Sequence, residues 1–190
     1  MKTMNLTVLK TLSMLSIGLL FFTACGQNNK TSQATAEVTV PKMDIHTAVI
    51  SENLEVVKQH IASGTDLNQK EPFGGSTPLI TAATFGKQEM VKTLIEAGAD
   101  LNIQNNDGST ALHTAAFFCR IEIVQQLIDA KADKGVRNNY GSTARETVLG
   151  SFGDVKPIYQ MLHQQLAPMG FELDLEEVEK SRPVVAMMLQ

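Results

Sequence analysis

Few residues in this chain are placed to do chemistry. Cys119 stands beside Arg120, whose charge could lower a thiol pKa and favour the reactive thiolate. No Cys-x-x-Cys accompanies it, and no His or Asn can be assigned to it as a catalytic partner. The plainer reading is a small, partly buried apolar residue at a turn. The four histidines, His46, His60, His113 and His163, make no i, i+4 pair and no Cys/His spacing of the kind that holds zinc. Glu176, Glu177 and Glu179 read as one charged helix face, and Gly74-Gly75 as a hairpin tip, not a phosphate cradle. No catalytic residue, metal site or cofactor is therefore assigned. A function has to be sought in surfaces and in the elements that present them.

The bulk composition agrees. In 190 residues, 43% are apolar and 19% charged, which suits one globular domain with appendages. With 16 basic against 20 acidic residues the formal charge is −4, the wrong sign for a phosphate backbone, so no nucleic-acid partner is expected. Two cysteines cannot make a disulfide scaffold.

The first 24 residues read as an export signal. Lys2 and Lys10 give a positive start, no acidic residue precedes Glu37, and Leu12 to Phe22 is an apolar run. Eleven residues at ~1.5 Å each cover about half of a hydrocarbon core of ~30 Å, too little to span it. The run ends in Phe22-Thr23-Ala24-Cys25, which resembles the lipobox of bacterial lipoproteins, although Phe22 replaces the usual Leu. The resemblance implies cleavage before Cys25 and lipidation of Cys25. It also implies an envelope location, with the outer membrane favoured because Gly26, not Asp, follows the cysteine. The alternative is a plain secretory signal cut after Ala24. Residues 25–41, rich in Asn, Gln, Thr and Ser, read as a lipidated cysteine and flexible tether.

Beyond the tether the chain repeats. Gly75, Gly108 and Gly141 fall 33 residues apart, as do Thr77, Thr110 and Thr143. Leu79, Ala82-Ala83, Val91 and Leu94-Ile95 recur as Leu112, Ala115-Ala116, Val124 and Leu127-Ile128, and upstream Ala48, Val57 and Ile61 match at a step of 34. Thr77-Pro78-Leu79-Ile80-Thr81-Ala82-Ala83, Thr110-Ala111-Leu112-His113-Thr114-Ala115-Ala116 and the closing turn Ala97-Gly98-Ala99-Asp100 resemble the ankyrin repeat. That resemblance implies an all-α solenoid of about four helix-turn-helix repeats with hairpin loops, near 42–71, 72–104, 105–137 and 138–167, and a helical C-terminal cap over 168–190. It also gives His113 a structural role, bonding neighbouring backbone. Thr77 and Thr110 read as helix N-caps, with Pro78 at a first helical position. Lys131 stands where Gly98 closes the second repeat, so the turn there is either strained or different.

At the C-terminal end, Asp154 can cap a helix that turns Ile158, Met161, Leu162 and Leu166 inward. Asp174 can cap a short helical piece, and Arg182-Pro183 can begin another over Val184 to Leu189. Met161, Met169, Met187 and Met188 read as packing residues. The Lys156-Pro157-Ile158-Tyr159 and Arg182-Pro183 pieces resemble tails that follow ankyrin repeats in other bacterial proteins.

In the resembled family the hairpin fingers and the exposed side of the first helices bind partners. The matching positions here are Glu71, Phe73, Thr84, Phe85, Asn106, Asp107, Phe117, Arg137, Asn139 and Tyr140. Phe85 and Phe118 have a second reading as packing between helices, and the loop positions a second reading as solvated surface. Phe73 and Tyr140 on fingertips have little core to join and read as anchors. The expectation is a non-catalytic, monomeric module that binds an unknown protein partner in the envelope and meets the membrane through its lipid. The alternatives are a thiol-dependent redox or stress-response protein using Cys119, and a structural envelope assembly piece.

Overall fold

The computed structural model describes residues 40–190, in which helices are the only regular elements. The signal segment, Cys25 and the tether up to residue 39 lie outside the described residues. Three helix pairs come first: α1 Ile45–Ile50 with α2 Leu54–Ala62, α3 Pro78–Thr84 with α4 Gln88–Glu96, and α5 Ala111–Phe117 with α6 Ile121–Asp129. Two 3-10 turns, Glu146–Val148 and Ala167–Met169, flank α7 Phe152–Leu166, and α8 Leu175–Met188 ends the chain.

Local chemistry starts each inner helix. Asp44 accepts from Thr47 N at 3.0 Å, Thr77 from Ile80 N at 3.3 Å, and Thr110 from His113 N at 3.4 Å. These bonds satisfy amides that a helix's first turn leaves without partners. Pro78 occupies the first turn of α3, where its missing N–H costs nothing.

Such short helices gain their stability from packing. The inner helices α1, α3 and α5 stack side by side and the 3-10 turn at Glu146 extends their row, while α2, α4, α6 and α8 form the outer row. Ala48, Ala82, Ala83, Ala115 and Ala116 are fully buried, and their small side chains let the rows approach closely. Val57, Leu79, Val91, Leu94, Leu112, Val124 and Leu127 fill the space between. Each such aliphatic side chain contributes about 1.5–3 kcal/mol by leaving water.

The C-terminal end departs from the sequence reading. The fourth unit's inner helix shrinks to one 3-10 turn, and the outer position beside α6 is taken by α8, not by α7. α7 instead turns Phe152, Val155, Tyr159, Leu162 and Leu166 into a second, aromatic cluster with Phe85, Phe118 and Phe171. Ile158 and Met161, expected inward, lie on its exposed face, because the packed stripe runs through Phe152, Val155, Tyr159, Leu162 and Leu166, each three or four residues from the next. α8 is one continuous helix and not two pieces. Asp174 accepts from Glu176 N and Glu177 N at its start, and Pro183 sits inside it. Of the methionines expected to pack in this region, Met188 is partly buried, while Met161, Met169 and Met187 are exposed.

Lys131 adopts φ 68°, the same left-handed turn that Gly98 makes at 85°. The turn is therefore conserved in shape, and strained by the Cβ that lysine carries.

Candidate functional site

The hairpin end of the inner helices is built from three fingers closed by backbone bonds: Glu71 N to Ser76 O at 2.9 Å, Asn105 N to Ser109 O at 2.9 Å, and Asn138 N to Ser142 O at 3.0 Å. In each, the first residue's side chain also holds the tip. Glu71 accepts from Phe73 N, Gly74 N and Ser76 N at 2.6–3.0 Å. Asn105 Oδ1 accepts from Asp107 N and Ser109 N, and Asn138 Oδ1 from Tyr140 N and Ser142 N. Burial pushes the Glu71 carboxyl upward, yet the three amides outweigh it and keep it below the ordinary carboxylate value.

Neighbouring fingers are tied together. Asn106 N donates to Gly74 O at 2.9 Å and its Nδ2 to Phe73 O at 3.1 Å. Asn139 N donates to Asp107 O and its Nδ2 to Asn106 O, both at 2.9 Å. The approach is so close that a Cβ on Gly75 would collide with the Asn106 side-chain amide, and one on Gly108 would meet Asn139 N at 2.6 Å. Both glycines also have positive φ. A second ladder runs along the opposite turns, where Asp100 N donates to Asn68 Oδ1 and Asp133 N to Asn102 Oδ1, each at 2.9 Å.

The ten positions grouped as a contact surface thus separate into three sets. Glu71, Asn106 and Asn139 spend their side chains inside and between fingers. Arg137 pairs with Glu146 at 2.7 Å and also donates to Gly141 O. Glu146 additionally accepts from Thr143 N at 2.9 Å, and this bond, followed by Arg137, lowers its pKa. Thr84 bonds back to Ile80 O. Phe85 is 9% exposed, edge-on to Phe171, and Phe117 stacks on Tyr159 with ring centroids 4.5 Å apart. Phe85 and Phe117 therefore belong to the core beneath α7, and the reading of Phe85 and Phe118 as packing between helices describes their place. Phe73, Asp107 and Tyr140 remain, one on each tip. Phe73 is 91% exposed and Tyr140 78%.

Beneath the fingers, histidines serve as struts. His113 Nδ1 meets Thr110 Oγ1 at 2.9 Å and its Nε2 reaches Ser142 O at 3.1 Å, joining α5 to the next finger. His46 bridges Thr81 Oγ1 and Gln69 O in the same way. Burial lowers the pKa of both, against bonds to backbone carbonyls that raise it. Among the described residues no cluster of three or more His, Cys, Asp or Glu is arranged to hold a metal.

Cys119 is the left-handed residue between α5 and α6, at φ 52°, where Gly86 stands between α3 and α4. Burial pushes its thiol up to about 11, outweighing the charges of Arg182 and Arg120. The depression expected from Arg120 is overcome because the sulfur packs partly into both apolar clusters.

One constellation was missed from sequence. Tyr159 is fully buried, its hydroxyl donates to Phe117 O at 2.6 Å, and it accepts from Arg182 Nη1 at 3.1 Å. Burial holds the phenol at about 12. The Lys-Pro-Ile-Tyr and Arg-Pro pieces were the available signal, since they supply the two residues that meet here.

This architecture defines a helical repeat solenoid that presents a row of hydrogen-bonded fingers. Residues 45–138 match the family model for ankyrin repeats in three copies, and the fold is an ankyrin-repeat solenoid. The chain is similar to human "DNA-binding protein RFXANK", 38% identical over 65 residues, which are 34% of this chain and 25% of that protein. It is also similar to human "Protein phosphatase 1 regulatory subunit 27", 41% identical over 63 residues, 33% of this chain and 40% of the relative. It therefore spans under half the length of these relatives. Among solved structures, the ankyrin repeat domain of Bcl-3 superimposes with a TM-score of 0.53 at 31% identity, covering 54% of this chain and 45% of that one.

Proposed function

We propose that this chain is a non-catalytic protein-binding module, held at the bacterial cell envelope through a lipidated Cys25, which takes its partner on the finger end of the solenoid. The observation that carries the binding surface is the exposure of Phe73 and Tyr140 on fingers whose backbones are locked by neighbouring fingers. Rigid tips with exposed aromatic rings bind at small entropic cost, and aromatic anchors dominate most interfaces. One similar protein bears the name of a phosphatase regulatory subunit, a role carried out by contact with another protein, which supports a binding reading. A thiol-based activity is disfavoured, because a thiol with a pKa of about 11 is protonated at neutral pH. The envelope address rests on the leader and on Phe22-Thr23-Ala24-Cys25 alone. No helix among the described residues is long and apolar enough to cross a membrane.

The test is a crosslinked pull-down of the full chain from membranes, wild type beside Phe73→Ala/Tyr140→Ala. A protein enriched by the wild type and lost with the double variant is the expected result, and equal recovery from both refutes the surface. Cys25→Ser is expected to move the protein out of the membrane fraction; a wild-type distribution refutes the lipid anchor.

A further inference from the structure

The cleft between the 3-10 turn at Glu146, the start of α7 and the C-terminal part of α8 plays no part in the binding surface described above. Arg182 lines it and is only 4% exposed. Its guanidinium donates to the Tyr159 hydroxyl at 3.1 Å and to Gly150 O at 2.9 Å. That uses two of five N–H donors and leaves a full positive charge. A buried charge is costly unless paired. Yet the side-chain ion pairs among the described residues are Lys87–Glu52, Arg137–Glu146 and Lys180–Glu176, and none involves Arg182. Glu179 lines the same cleft without coming within 4.0 Å of a guanidinium nitrogen.

A second cation stands close by. Arg145 lines the cleft and donates through Nε to Ala186 O at 3.1 Å, and it too has no carboxylate partner. The rest of the wall is mostly apolar, with Val148, Leu149, Phe152 and Met187. The volume, about 460 Å³, lies within the range of roughly 300–1,000 Å³ usual for small-molecule sites. Two guanidiniums without a carboxylate within 4.0 Å, on a mostly apolar wall, suit a ligand with a negative head that can take paired N–H donors, followed by a hydrocarbon tail.

We propose that this cleft binds a monocarboxylate with an apolar tail, its carboxylate facing Arg145 and Arg182 and its tail lying along Leu149, Phe152 and Met187. Two guanidiniums would neutralise the head more fully than either alone. The apolar wall would discriminate against small hydrophilic anions.

Calorimetric titration of the full chain with octanoate tests this, beside octan-1-ol, which has the tail without the charge, and inorganic phosphate, which has charge without a tail. Saturable one-site binding of octanoate is expected, with octan-1-ol and phosphate each about tenfold weaker or worse. Arg145→Gln leaves the Arg182 bonds to Tyr159 and Gly150 in place, so it should keep the wild-type unfolding midpoint while weakening octanoate about tenfold. Met187→Glu, an exposed change on the wall, should weaken it as well. Absence of saturable octanoate binding overturns the proposal and leaves Arg182 as an internal strut. Equal affinity for octan-1-ol overturns it in favour of a merely greasy groove, and wild-type affinity in Arg145→Gln overturns it too.

Discussion

The two ends of the inner helices carry similar aromatic side chains and treat them in opposite ways. At the end where inner helix turns into outer helix, Phe85 and Phe118 are 9% and 6% exposed, covered by Tyr159 of α7 and by Phe171. At the hairpin end, Phe73 and Tyr140 stand in solvent on fingers tied to one another and, through His113, to α5 beneath them. The chain leaving the third helix pair passes across the first end and supplies its cover, while no described segment returns over the second. One end is therefore an additional core and the other a presented surface, and the difference between them marks where a partner can add buried area.

The largest expected effect strikes the covered end. Tyr159→Ala removes a ring in contact with Phe117, Phe118 and Phe152 together with two hydrogen bonds, and should cost about 3–5 kcal/mol in urea unfolding. Phe73→Ala/Tyr140→Ala should shift the same measurement by no more than about 0.5 kcal/mol per site. Comparable losses at both ends would erase the distinction.

Gly108→Ala asks whether the fingers need their close stacking. Positive φ with a Cβ 2.6 Å from Asn139 N should cost about 2 kcal/mol, read by thermal unfolding. A wild-type midpoint would mean the fingers are not locked. Lys131→Gly relieves the same left-handed strain in a turn away from either aromatic group, and should stabilise the protein by roughly 0.5–1 kcal/mol. A destabilised variant would show that the lysine side chain outweighs its backbone strain.

The smallest effect is a pH dependence of the struts beneath the fingers. His46 and His113 have folded pKa values below the unfolded value of 6.5. In the window between the two values the unfolded chain binds more protons, so their contribution is complete above about pH 6.5 and is lost as the pH falls toward the folded values. The melting temperature should therefore decline from about pH 7 to about pH 5, and less steeply in His113→Gln. An unchanged slope would exclude His113 as a source of the decline.

The repeat array was legible because its determinants are local and recur: Thr77 and Thr110 as caps, Ala82-Ala83 and Ala115-Ala116 as close-packing pairs, glycine at the finger turns. Periodicity also exposed Phe73 and Tyr140 as residues without a core. It could not show which of Glu71, Asn106 and Asn139 would be consumed by bonds between fingers, since those partners lie one repeat away across space. Phe117 read as surface, and Phe85 as surface or packing, because what buries them, Tyr159 and Phe171, comes from a non-repeating segment whose path no period encodes. The same long-range packing decided α7's orientation over its own ambiguous apolar pattern, in which Ile158 and Met161 competed with Phe152, Val155 and Tyr159. For Cys119, both the neighbour Arg120 and a partly buried place were read from sequence; what the sequence did not decide was that burial outweighs the charge.

We propose the hairpin end as the place where a partner is held. The most direct test places a photo-crosslinking phenylalanine analogue singly at Phe73, at Tyr140 and at Ile158, an exposed position on the outer face of α7, in the full chain. A common adduct of the same mass is expected from positions 73 and 140, and none from 158. Adducts from 158 alone, or none from either fingertip, would contradict the proposal.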